Sequence, residues 1–210
     1  REVLSNLRTQ RASSALIPKD DLNVDAILFD VDEWEERFRD AGKPHIADAL
    51  ESAGVDMANS VAGEYDFNGD PHAVQFVNRQ AHTYSHLINA TNLTQVDDIL
   101  RDAVAEGLSI DETAAKIKGY FAAKATNHSV VVARTEVIRA GNMGRVRSMT
   151  TNGFDWHMWV TQRDERVRDE HVGMDGEVAD IRKSFSNGDA FPQSIMERCY
   201  TIPQREGPEA

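Results

Sequence analysis

From residue 31 onward the chain places apolar side chains at steps of three and four, the spacing that lays one stripe along a helix. Trp34, Phe38 and Ala41 form a first such run, which Gly42 is expected to end. A second helix follows Pro44 with Ile46, Leu50, Ala53, Met57 and Val61 on one face and acids on the other. "GEYDFNGDPHAV" reads as a loop up to Asp70, and Asp70-Pro71 is a strong helix start. Aspartate can cap free amides there, and proline has no N–H to lose at the first helical position. Val74, Val77, Ala81, Tyr84 and Ile88 then mark a core-facing stripe. A further helix starts at Thr94 to Asp97, carries Val96, Ile99, Leu100 and Val104, and ends at Gly107. Ser109 with Glu112 fits a capping box ahead of Ala114, Ile117 and Phe121. The longest pattern runs from Asn127 to Met149, with Val130, Ala133, Val137, Ala140 and Met143 or Gly144 on one face. Gly141 and Gly144 there allow another backbone to approach closely. Four or more helices joined by short turns are therefore expected before Gly153.

After Gly153 the period changes. In "FDWHMWVTQ", Phe154, Trp156, Met158 and Val160 alternate with other residues, as in a half-buried strand. Turn-rich segments follow, and "RCYTI" at 198 to 202 reads as a last strand that Pro203 ends. The expected fold class is α+β: a mainly α-helical body over 31–153 and a small β-containing cap over 154–203, packed on the 127–150 helix. Residues 1–30 read as an irregular lead-in or linker and 204–210 as a tail.

Composition narrows the function classes. The net charge is −12, with 22 acids against 12 bases in residues 1–130 and 13 against 11 in 131–210. Neither part carries the basic stripe that phosphate-backbone binding normally needs. A local DNA contact through Arg139, Arg145 and Arg147 stays open, but charge does not support it. A single cysteine excludes a disulfide scaffold, and no apolar run is long enough to span a bilayer. A soluble protein of a reducing compartment, without membrane contact, is the expectation. The start at Arg1 without Met suits a trimmed chain or a fragment of something longer.

Two clusters could carry chemistry. His82 and His86 lie four apart on a helix and could share a metal, but "HTYSH" lacks the glutamate of a zinc-protease helix. In "WVTQRDERVRDEHVGMDG", His171 and Asp175 could chelate a cation, or Asp164 could orient His171 as a general base. The blander alternative pairs Arg166 and Arg168 with Asp164, Asp169 or another carboxylate, while Asp175-Gly176 makes a tight turn. With no nucleophile motif, phosphate loop or nucleotide fingerprint nearby, no catalytic set and no cofactor is expected, and the structural alternative is favoured. In "ARTE", Arg134 and Glu136 sit on nearly opposite helix faces, so each needs a partner from another element. The 164–171 cluster is the natural candidate. Cys199, alone, reads as a small buried residue.

Taken in order, "ARTEVIRAGNMGRVRSM", Trp159, "D-x-R-V-R-x-x-H" at 164–171, "M-D-G" at 174–176, "FP" at 191–192 and "RCYTIP" at 198–203 resemble the phage head morphogenesis proteins, the Mu F-like minor capsid family. The resemblance covers about residues 80–203. It implies a virion component that binds the portal protein, and other capsid or scaffold proteins, and assists prohead assembly, DNA packaging or ejection. It would sit inside the capsid near the portal vertex after assembly in the bacterial cytoplasm, and some relatives are fused behind a portal protein. By position, Arg134, Glu136, Asp164, Arg166, His171, Asp175, Gly176 and Cys199 match the family's signature polar residues and, with Arg168, are expected to form a polar clasp between helix and cap. Many relatives end in "N-C-R-C" where this chain has "M-E-R-C", with Glu197 in place of the first cysteine, so a two-cysteine metal clip or disulfide is not expected. An enzyme is the less favoured outcome; its alternative form is a metal-dependent hydrolase or nuclease at the portal using His171, Asp175 and Asp164.

Overall fold

A computed structural model describes residues 31–208; the lead-in expected over 1–30 and the last residues of the tail lie outside them. The described chain is mainly helical and ends in a small antiparallel sheet, an α+β fold. Its elements are α1 (Val31–Ser60), α2 (Pro71–Glu106), α3 (Ile110–Thr151), β1 (Trp156–Thr161), the short α4 (Asp169–Val172), β2 (Val178–Asp180) and β3 (Cys199–Gln204).

Three long helices replace the four or more expected. α1 runs through Gly42 and Pro44 without ending. Gly42 serves a close approach instead, since a Cβ there would stand 2.8 Å from the Tyr84 ring. α2 likewise absorbs the expected break before Thr94, whose hydroxyl donates to the Ala90 carbonyl inside the helix. α3 joins the Ser109 segment to the "ARTE" segment in one helix. Where glycine or a cap residue sits mid-helix, tertiary packing overrides local preference.

The starts predicted at Asp70-Pro71 and at Ser109 hold, whereas those after Pro44 and at Thr94 to Asp97 lie inside helices. Asp70 Oδ1 accepts the amides of His72 and Ala73 at 3.0 and 3.3 Å, and the Ser109 amide donates to Glu112 Oε2 at 2.8 Å while the Glu112 amide donates back to Ser109 Oγ.

The described residues divide into two compact units, 31–42 with 81–129 and 43–80 with 130–208, a division that falls within the helices. In the first, Val96, Leu100, Ala103 and Ile117 are buried, and Lys124 and Tyr120 both donate to Asn92 Oδ1. In the second, Ile46, Leu50, Phe76, Val77, Ala140, Val146 and Met149 form the helical core. At Gly144 a Cβ would collide with the Leu50 carbonyl oxygen, so α1 and α3 cross backbone to backbone, as the glycines predict.

Two expected faces are reversed or displaced. On α3, Ala140 and Gly144 are buried but Val130 and Val137 are exposed; Thr135 and Asn142 take the inward positions because they bind the cap. On α2 the expected stripe holds at Val77 and Ala81, both buried, and only its first member is displaced: Ala73 and Phe76 are buried while Val74 is exposed.

The sheet has order β2-β1-β3, all antiparallel, with Met158 opposite Val178 on one side and Ile202 on the other. The strand predicted after Gly153 is present, but its buried side is His157, Trp159 and Thr161, not Trp156, Met158 and Val160. Trp159 decides the phase, because its ring is fully enclosed by Val167, Met174, Phe185 and Cys199. β3 continues past Pro203 to Gln204, which an edge strand tolerates.

Candidate functional site

The cap is fixed to α3 by a row of polar side chains at steps of four and three, hence on one helix face. Thr135 Oγ1 accepts the Met196 amide at 3.1 Å. Arg139 donates through Nε and Nη2 to the Gln193 carbonyl at 3.0 and 2.9 Å. Asn142 Nδ2 donates to the carbonyls of Pro192 and Cys199 at 2.9 and 3.0 Å. The segment before β3 thus lays its backbone on α3, and the left-handed Met196, φ 55°, is held in place by Thr135. Phe191 adds an edge-to-face contact with Phe76, ring centroids 6.2 Å apart.

Glu136 and Arg139 pair at 3.0 Å, and Gln80 donates to the other Glu136 oxygen at 2.7 Å. The partner expected from 164–171 is therefore not the one found. Arg134 is exposed and pairs with none of the described residues.

A second set of contacts ties 161–171 to the residues entering β3. Arg198 forms a forked pair with Asp164, and Arg168 donates to the Ile195 carbonyl. Arg166 gives Asp164 its backbone N–H, while its side chain stays exposed. The Arg198 guanidinium holds the Asp164 carboxyl below the usual range. Asp175 accepts the Thr161 amide at 2.9 Å and Arg163 Nε at 2.8 Å; these, the amide first, lower its pKa although burial opposes them. Gly176, φ 90°, closes the turn by donating to the Trp159 carbonyl.

His171 meets neither aspartate. It is buried and points Nδ1 at Glu197 Oε1, 3.3 Å away, and at Cys199 Sγ, 3.7 Å away. Glu197 Oε1 also accepts the amides of Arg198 and Cys199, while its Oε2 is buried without a partner. Burial, reinforced by Glu197, pushes the Cys199 thiol up to about 12, so it is not an activated nucleophile. Glu197 and Cys199 border a cleft of about 660 Å³ that Arg134, Asn142, Arg145 and Gln162 also line. Arg145 stacks on Tyr200, 5.6 Å from its ring centroid.

His82 and His86 stand exposed on α2, and each faces a different oxygen of Glu35, at 3.4 and 3.2 Å. The carboxylate that "HTYSH" lacks is thus supplied by α1. Sequence reading misses the role of Thr135 and Arg139. Their four-and-three spacing with Asn142 puts all three on one face, but it does not reveal what they bind.

The family described as Phage Mu protein F like protein matches residues 94–202, more than half of the chain and all of the clasp on α3 and the cap. The chain belongs to this family. Membership points to phage head morphogenesis and to association with the virion. No curated protein and no solved structure matches the chain. In this Mu F-like protein the signature residues, taken with Arg168, separate by position, and Arg166 contributes only its backbone N–H to Asp164 while its side chain stays exposed. Asp164, Arg168, His171, Asp175, Gly176 and Cys199 hold the cap together, Glu136 braces Arg139 on α3, and Arg134 stays outside. Among the described residues no helix is long and apolar enough to cross a membrane.

Proposed function

We propose that this Mu F-like protein acts by binding, docking on the portal vertex of the phage head and assisting prohead assembly, DNA packaging or ejection. The observation that carries the reading is the stripe Val130, Ala133, Arg134 and Val137 on α3. Its apolar members are turned outward, Val130 61% and Val137 48% exposed. An apolar stripe with an arginine beside it that pairs with none of the described residues suits a protein partner better than a phosphate backbone. The nuclease alternative needs Asp164 and Asp175 beside His171, and each of these carboxylates is instead held by its own arginine.

The test is Val137→Asp, followed by capture on purified portal protein and by incorporation into proheads. Capture and incorporation fall at least tenfold while the melting temperature moves by no more than a few degrees. Undiminished capture and incorporation by the folded variant would overturn the docking surface.

A further inference from the structure

The groups that face one another in the cap core form an unusual set: an imidazole, a carboxylate and a thiol, from His171, Glu197 and Cys199, all buried. Their ligand atoms lie within 4.8 Å of one another. Hydrogen bonding alone satisfies the set poorly. Glu197 Oε1 takes two amides and faces the imidazole, yet Oε2 is left without any partner in a side chain only 2% exposed. A carboxylate oxygen enclosed in this way costs free energy unless a cation or donor reaches it.

The spacing fits a cation. A tetrahedral zinc ion with metal–nitrogen and metal–oxygen bonds of about 2.0–2.1 Å and a metal–sulfur bond of about 2.3 Å sets nitrogen and oxygen ligands roughly 3.3 Å apart, and nitrogen and sulfur roughly 3.6 Å apart. The observed separations are 3.3 Å from His171 Nδ1 to Glu197 Oε1 and 3.7 Å from His171 Nδ1 to Cys199 Sγ. His171 comes from α4, Glu197 from the loop just before β3 and Cys199 from its first residue, so an ion would staple two pieces of the cap that have little regular structure between them.

We propose that His171, Glu197 and Cys199 bind one zinc-like divalent cation as a structural site. Nδ1, a carboxylate oxygen and the thiolate supply three ligands, and water from the adjoining cleft supplies the fourth. On binding, the Cys199 thiol releases its proton to solvent and the sulfur takes the metal in its place. The exposed His82 and His86 contribute nothing to this site.

The experiment loads the chelator-treated full chain with cobalt(II), then with zinc, and follows absorbance, bound metal and melting temperature. Wild type takes up one cobalt per chain with the near-ultraviolet charge-transfer band of a cobalt–thiolate bond, and zinc displaces it. Zinc at a hundredfold excess over its Kd raises the melting temperature by roughly 5–10 °C. Cys199→Ser loses the thiolate band, Glu197→Gln weakens uptake at least tenfold, and the double variant His82→Ala/His86→Ala behaves as wild type. Should Cys199→Ser fail to fold, the wild-type cobalt spectrum and Glu197→Gln decide alone. Absence of the thiolate band in folded wild type, uptake unchanged by Glu197→Gln, or uptake abolished by the double histidine variant would each overturn the site.

Discussion

Two buried polar centres lie in the same compact unit and solve the same problem differently. At Asp70, 7% exposed, every demand of the carboxylate is met: Arg147 Nε and Nη2 grip its two oxygens at 2.8 and 3.0 Å, and the first amides of α2 complete the shell. Burial alone would raise the Asp70 pKa, but Arg147 and these amides outweigh it and hold the carboxyl below its usual range. Burial and the negative charge of Asp70 push the neighbouring Tyr65 hydroxyl up. The cap core is the opposite case. Both ring nitrogens of His157, the indole N–H of Trp159, the Thr201 hydroxyl and Glu197 Oε2 are enclosed without hydrogen-bond partners. A closed pair fixes helices in place, whereas an open set of polar atoms is a place where something can still be gained.

The largest effect should come from breaking the closed centre. Arg147→Ala leaves Asp70 buried without its cation, which costs about 3–5 kcal/mol. The melting temperature should drop by roughly 10 °C or more, and a drop of only a degree or two would mean that water replaces the guanidinium.

The cap should answer to acid. Burial, outweighing the nearby Asp180, lowers the His157 pKa to about 4, against about 6.5 in an unfolded chain. The unfolded state therefore takes up the proton first. Stability is fully present above about pH 6.5 and falls as pH drops toward 4, by up to about 3 kcal/mol. Asp70 adds its loss only at lower pH, below the ordinary aspartate value, because its pKa is lowered too. Urea titrations of wild type and His157→Phe at pH 7, 5.5 and 4.5 should show the intermediate-pH loss in wild type alone. An equal loss in both would assign it to another group.

The smallest effect sharpens the contrast. In metal-free protein, Glu197→Gln keeps an acceptor for the two amides and removes only the charge, so stability should shift by less than about 1 kcal/mol. Asp70→Asn, which surrenders an ion pair, should cost clearly more.

Helix starts are readable in the sequence because they are local: Asp70-Pro71 and the Ser109–Glu112 box act within four residues. Helix ends are not. Gly42 reads as a stop until Tyr84, distant in sequence, is seen filling the space that its missing side chain leaves. The phase of β1 is illegible for a similar reason. Periodicity favours Trp156, Met158 and Val160, but the enclosure that matters is supplied by Phe185, Met174 and Cys199 from later segments. The site is half legible. "ARTE" and the 164–176 stretch draw attention to the two elements that meet, yet the side chains spanning them are Thr135, Arg139 and Asn142, and the partner of His171 is Glu197 rather than an aspartate. Pairing across dozens of residues leaves no trace in spacing.

Pro203 bears on crowding. A sheet of three strands ends in edges, and an edge with free amides recruits strands from neighbouring molecules. Here one edge is β2, only three residues long, and the other is β3, where Pro203 has no N–H to offer. With that donor missing, β3 is a poor template for a further strand, so the cap stays a terminus rather than a seed.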